Sequence, residues 1–182
     1  MLELAASTNL PVQEARAGDA TAWDMLFRRY QLPLYVYVFE VVRDEQASLD
    51  VVQETFISAL RNIGGLRNNE MFGSWLFGIA HQKCTQHWRK QSRAKGFDAV
   101  DLDGFSDDGP NPRDWLIIKE QEEEFMRQMN RLPLPQRSVL LLHFVEAFSL
   151  EDIAAITGAP IGTVKSRLHY AKKILRKTME KG

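Results

Sequence analysis

The sequence predicts an all-α fold of two small helical domains, and three observations carry that reading. Apolar residues recur at spacings of three and four along most of the chain, the period of helices that bury one face. No segment alternates apolar and polar residues convincingly enough to propose a strand. One stretch, GFDAVDLDGFSDDGPNPR at residues 96–113, loses all periodicity and fills with Gly, Asp and Pro, the composition of a flexible tether. The predicted domains are therefore 1–95 and 114–182, joined by an acidic linker over 96–113.

Each element has its own signature. Trp23, Leu26, Phe27 and Tyr30 stand at i, i+3, i+4 and i+7 and form one apolar stripe. Val52, Phe56, Leu60 and Ile63 form a second, closed by Gly64-Gly65, residues that suit a helix stop. After a polar turn over 64–70, Phe72, Trp75, Leu76 and Ile79 open a third helix that becomes more polar toward Arg89. Beyond the linker, Trp115, Ile118, Phe125 and Met129 mark another helix. Leu132-Pro133-Leu134-Pro135 breaks it, and Pro135 is placed to open the next, which runs to about Phe144.

Composition and charge narrow the function classes. The apolar share of 45% and charged share of 26% exclude wholesale disorder. A single cysteine, Cys84, excludes an internal disulfide framework and fits a reducing cytosol. The N-terminus lacks the basic flank and apolar core of a signal peptide. The most apolar run, 32–42, is interrupted by Pro33 and Glu40 and falls far short of the roughly 20 residues of a membrane helix. A soluble, cytoplasmic protein without membrane insertion is expected. The net charge of −1 hides a strong asymmetry. Lys83, Arg89, Lys90, Arg93 and Lys95 form one basic block, and Lys165, Arg167, Lys172, Lys173, Arg176, Lys177 and Lys181 a second. Local potential rather than the total attracts phosphate, so two basic blocks around an acidic spacer suit two separate DNA contacts. The near-zero total implies that the chain alone grips DNA weakly.

The most informative segment begins at Ser149, SLEDIAAITGAPIGTVKSRLHYAKKILRK. Ser149 is a candidate N-cap with Asp152 at the capping-box position, and Leu150, Ile153, Ala154 and Ile156 give a short helix its buried face. Gly158 permits a sharp turn, and Val164, Leu168, Ala171 and Leu175 form the core stripe of the following helix. The opposite face centres on Gly162, Ser166, His169 and Lys173, with Lys165, Tyr170 and Arg176 flanking and Arg167 nearer the core edge. Small and hydrogen-bonding groups at the exposed N-terminal end, with Lys and Arg beyond, are what entry into a major groove requires. The expected DNA-reading residues of this helix-turn-helix are Thr163, Lys165, Ser166, Arg167, His169 and Lys173.

GTVKSRLHYAKKILRK, preceded by LPLPQRSVLLLHFVEAFSLEDIAAITG, resembles region 4 of the extracytoplasmic-function (ECF) sigma factors. EARAGDATAWDMLFRRY, DVVQETFISAL and FGSWLFGIAHQKCTQHWRKQSR resemble the three helices of region 2, in the family's order and spacing. The resemblance covers residues 12–95 and 114–178 and implies a transcription initiation factor that recognises −10 and −35 promoter elements and aids melting. It implies that Asp50, Gln53 and Glu54 contact the β′ clamp helices of core RNA polymerase, with β a further contact, while Val52 and Phe56 turn to the core. It places Leu66, Trp75, Ile79 and Gln82 around an extruded −10 base, with Lys83, Gln86, Arg89 and Lys90 nearer the strand. It also implies control by an anti-sigma factor. Two departures stand out: Leu66 occupies a position where an aromatic is common, and His81-Gln82 one where Arg-Asn is common.

His81, Cys84 and His87 form H-x-x-C-x-x-H, but three ligands from one straight helix converge poorly and no fourth lies near, so no metal or other cofactor is expected. No P-loop, H-E-x-x-H or nucleophile elbow points to an enzyme. The rival from another class is a DNA-binding regulator with an N-terminal sensory or dimerisation domain, which would bind promoters without polymerase.

Overall fold

The computed structural model describes residues 10–94, 129, 132–144 and 146–179. Among these residues all regular structure is helical. The linker over 96–113 and the helix expected around Trp115, Ile118 and Phe125 lie outside the described residues. The elements are α1 (Val12–Arg16), α2 (Ala20–Val42), α3 (Glu45–Asn62), two 3₁₀ turns (Ile63–Gly65 and Asn69–Met71), α4 (Phe72–Ala94), α5 (Leu134–Phe144), α6 (Leu150–Thr157) and α7 (Ile161–Met179).

Local chemistry sets the ends of these helices. Asp19 caps α2 by accepting from the backbone N–H groups of Thr21 at 2.7 Å and Ala22 at 3.1 Å. Asp44 does the same for α3 through Ala47 N–H at 2.7 Å. Arg43, in the left-handed region at φ 61°, closes α2 and turns the chain into α3. α2 runs unbroken through Pro33. Pro33 gives up one backbone hydrogen bond there, but it and the flanking Tyr30, Leu34 and Tyr37 are all buried, and packing carries the helix past the defect.

α2, α3 and α4 pack pairwise around one core. Leu26, Leu34, Tyr37, Val38 and Val41 from α2 meet Phe72, Leu76, Phe77 and Ala80 from α4. α3 keeps most of its expected stripe, with Ile63 buried, Val52 and Phe56 packed half-buried against the core and Leu60 alone turned to solvent. Its own buried residues are Ser48, Val51, Thr55 and Ala59, whereas Leu60 is 56% exposed. The buried hydroxyls are satisfied within the helix, Ser48 donating to the Asp44 carbonyl at 2.6 Å and Thr55 to that of Val51 at 2.7 Å. Phe56, packed half-buried against the core, also tilts onto the exposed Phe27 ring, the centroids 4.8 Å apart.

In the C-terminal part, α5, α6 and α7 pack on one another. Val164, Leu168, Ala171 and Leu175 are all buried, as their spacing predicts. The two parts also touch: α5 lies against α2, and α6 against α4. No helix among the described residues is long and apolar enough to cross a membrane.

Candidate nucleic-acid interface

Two separate surfaces carry the candidate DNA-contacting residues. The first is the face of α7. The preceding α6 is fixed by a full capping box: Ser149 Oγ accepts from Asp152 N–H at 3.0 Å, and the Asp152 carboxylate accepts from Ser149 N–H at 3.3 Å. Gly158 ends α6 at φ 66°, a left-handed conformation that suits glycine. α7 then starts at Ile161 with its four apolar residues inward, which turns Gly162, Lys165, Ser166, His169, Tyr170, Lys173 and Arg176 to solvent. Thr163 and Arg167 are half-buried at the edge of that face. This is the arrangement of a helix-turn-helix with a free, basic second helix. The N-terminal end of that helix offers Gly162 and the Ser166 hydroxyl for close approach.

The second surface lies on α4 and the turn before it. Leu66, Trp75, Ile79, Gln82, Gln86 and Arg89 line one open cleft of about 810 Å³, together with Arg67, Asn68, Met71, Gly78, His81 and Thr85. Leu66 is only 7% exposed, and its carbonyl accepts from the Arg16 guanidinium, which also donates to Asn69 at 3.0 Å. α1 thereby holds the loop that forms one wall. Lys83 and Lys90, expected nearer the strand, lie outside the lining. The Lys83 ammonium pairs with Glu54 of α3 at 3.2 Å, so it points away from the cleft. Lys90 is exposed further along α4. The three residues expected on the polymerase face, Asp50, Gln53 and Glu54, are all exposed along α3, beside Leu49 and Ile57.

The H-x-x-C-x-x-H residues have other employment. His81 Nδ1 is hydrogen-bonded at 2.7 Å to the hydroxyl of Tyr37, a residue 1% exposed. Burial, with the Arg167 charge adding to it, lowers His81 to about 4, so the imidazole is neutral. Cys84 faces the core at 1% exposure, and burial pushes its thiol up to about 12, which removes it as a thiolate ligand or nucleophile. His87 Nε2 is bonded to Gln91 Nε2 at 3.0 Å. Among the described residues no three His, Cys, Asp or Glu side chains are grouped to hold a metal ion.

Sequence reasoning missed the seam between the two parts. Phe77 of α4 meets Phe148 edge-on at 5.1 Å. A Cβ placed on Gly78 would stand 3.9 Å from the Ile156 Cα of α6. The cleft on α4 has its far wall in Ala155, Ile156, Thr157 and Gly158. Glu146, 3% exposed, is pushed up to about 7 by burial. The available pointer was Gly78 in the interior of a helix, a position that costs about 1 kcal/mol relative to Ala and signals close approach of another backbone.

Comparison with known proteins places these surfaces in context. Residues 26–94 match the family "Sigma-70 region 2" and residues 122–175 match "Sigma-70, region 4". The chain is 30% identical over 177 residues to the RNA polymerase sigma-H factor of Pseudomonas aeruginosa, covering 93% of this chain and 92% of that one. It is 30% identical over 172 residues to the ECF RNA polymerase sigma-E factor of Escherichia coli, covering 90% of each. Among solved structures, CnrH bound to the cytosolic domain of CnrY aligns with a TM-score of 0.66 at 20% identity, covering 93% of this chain and 94% of that one. Sigma factor RpoE bound to the anti-sigma factor NepR, from Bartonella quintana, aligns with a TM-score of 0.66 at 24% identity, covering 85% and 96%.

Proposed function

This chain belongs to the extracytoplasmic-function group of the sigma-70 family, RNA polymerase sigma factors that direct promoter-specific initiation, and we infer that its two surfaces divide that work. The N-terminal domain, 1–95, binds core polymerase and the −10 element. The C-terminal domain, 114–182, binds the −35 element, and the linker over 96–113 spans between them. Fully extended, its 18 residues reach roughly 60 Å, enough for elements about one and a half duplex turns apart, roughly 50 Å.

The observation that carries this reading is the pairing of an exposed basic α7 face with an open cleft on α4 in one chain. On α7, Lys165 and Lys173 meet phosphates, Ser166 and His169 face base edges, and Thr163 and Arg167 reach in from the side. In the cleft, Leu66, Trp75, Ile79 and Gln82 surround an extruded base, while Gln86, Arg89 and Lys90 follow the strand. Lys83 contributes through its pair with Glu54, tying the −10 helix to the polymerase face. Asp50, Gln53 and Glu54 present carboxylate and amide groups to the β′ clamp helices, and β is a further contact. The protein works in the cytoplasm by binding rather than by catalysis. Control by an anti-sigma factor is supported by the two structural neighbours, which are complexes with CnrY and NepR.

The surface assignment is tested by charge reversal on α3. Asp50→Arg with Glu54→Arg should abolish co-purification with core polymerase while leaving the helical circular dichroism spectrum unchanged. Full retention of core binding by that variant overturns the assignment of α3.

A further inference from the structure

We propose that Arg16 of α1 is a positioning residue for −10 recognition, bracing the loop over 66–69 while standing outside the cleft itself. This rests on the assignment of the cleft to the −10 strand made above. The brace is a single guanidinium nitrogen. Arg16 Nη2 donates to the Leu66 carbonyl and, at 3.0 Å, to the Asn69 side-chain oxygen, acceptors 50 and 53 positions further along the chain. A cation that donates to both ends of a loop holds it more firmly than a neutral donor would. Arg16 is not among the residues that line the cleft, so its effect on a bound base passes through the loop.

The loop depends on such a hold. Its local bonds run from Leu66 N–H to the Ile63 carbonyl at 3.0 Å, from Glu70 N–H to Asn68 Oδ1 at 3.0 Å and from Met71 N–H to the Asn68 carbonyl at 3.1 Å. These set its shape rather than its place. Upstream, a Cβ on Gly64 or on Gly65 would meet no atom within 4 Å, so packing gives the loop's entry little support. Leu66 is buried, but Arg67 and Asn68, which line the cleft, are exposed and stand between the two Arg16 bonds. α1 is in turn held in register with α4. Val12 and Ala15 are buried, and Trp23 of α2 donates its Nε1–H to the Ala15 carbonyl at 3.0 Å. The same indole meets Phe72 edge-on at 6.4 Å, and Phe72 meets Trp75 of the cleft at 5.9 Å. One connected path thus runs from the loop through Arg16, α1, Trp23 and Phe72 to Trp75. It fixes the gap between Arg67 and Asn68 on the loop and Trp75 on α4, and recognition of a base needs that gap held closely.

Arg16→Met keeps the length of the side chain and removes every donor. At one or more −10 positions it should lower the preference for the best base by about fivefold or more, the lower end of what a well-placed base contact supplies. Core polymerase binding and −35 preference should be unchanged. Loss of charge alone would weaken transcription from every template equally, so an equal loss, or an unchanged preference, overturns the proposal. Asn69→Ala removes one acceptor and leaves the charge. It should lower the same preference, and by less in the Arg16→Met background; simple additivity of the two would show that Arg16 does not act through the loop. Hydrogen exchange reads the brace without transcription. Amides over 66–71 should exchange faster in Arg16→Met while those of α3 and α4 keep the wild-type rate, and unchanged exchange over 66–71 overturns the brace. If exchange rises throughout the domain, the variant has lost its fold, and Asn69→Ala decides by lowering the −10 preference or leaving it as it was. Wild type inactive with core polymerase would instead refute the −10 assignment itself.

Discussion

Glu146 and His81 stand on opposite sides of the seam, and their titrations should act on stability with opposite signs. Burial holds Glu146 at about 7 against an ordinary 4.5. The folded state therefore favours its protonated form, and that stabilisation is complete below 4.5 and lost as pH rises toward 7. Burial, with Arg167, holds His81 at about 4 against an ordinary 6.5. The folded state excludes its proton, so stability is undiminished above 6.5 and lost as pH falls toward 4. Each difference spans about 2.5 pH units, which at ~1.4 kcal/mol per unit is about 3.5 kcal/mol. Between 4.5 and 6.5 the unfolded chain carries the histidine proton and the folded chain the glutamate proton, so the two slopes cancel.

Single substitutions should unmask them. In Glu146→Gln the unfolding free energy should rise with pH, relative to wild type, by ~1.4 kcal/mol per unit across that window. In His81→Asn, which keeps an acceptor for the Tyr37 hydroxyl, it should fall relative to wild type at the same rate. Urea unfolding at several pH values between about 5 and 6.5 measures both slopes, and any constant offset from lost packing drops out. Parallel pH profiles for wild type and Glu146→Gln would show that this carboxyl is not buried in the folded state. Parallel profiles for His81→Asn would show the same of the imidazole.

Three further outcomes are expected. Ser149→Ala removes the cap of α6 and leaves the Asp152 N–H without its partner, so the chain should lose about 1 kcal/mol in urea unfolding; no loss would mean that the capping box does not hold this helix. Lys165→Ala and Lys173→Ala should weaken −35 binding uniformly across sequences and each reduce the salt slope of the log affinity by about 0.9, with an unchanged slope placing the phosphates elsewhere. Gln82→Ala should alter discrimination at one −10 position by roughly 5- to 100-fold, the range of a good bidentate base contact. It should leave core binding intact, and equal loss of transcription on every −10 variant would remove Gln82 from base reading.

The helix-turn-helix was legible because each of its parts has a local cause. The cap at Ser149, the left-handed turn at Gly158 and the stripe Val164, Leu168, Ala171 and Leu175 depend on residues a few positions apart, and the structure keeps all three. On α3 the expected stripe is kept in part, with Val52 and Phe56 half-buried against the core, Ile63 buried and Leu60 turned out, because large apolar residues dominate a periodicity reading. The fully buried face of α3 is Ser48, Val51, Thr55 and Ala59, where small size matters more than hydrophobicity and the hydroxyls are satisfied by the carbonyl four residues back. The ion pair of Lys83 with Glu54 was not legible, because the partner lies on another helix, 29 positions away. The seam escaped for the same reason on a longer scale. Phe77 and Phe148, or Gly78 and Ile156, are joined only by the fold, and within one sequence each reads as an ordinary core or helix residue.

The most direct test of the account is run-off transcription with purified core RNA polymerase and a promoter library randomised over both elements. Adding this chain alone should start transcription from a defined subset of templates that share a −10 and a −35 motif. Asp50→Arg with Glu54→Arg should eliminate that transcription. Binding of this chain to promoter DNA with no initiation by core polymerase, or stimulation only of an already assembled holoenzyme, would contradict the account and make the protein an accessory regulator.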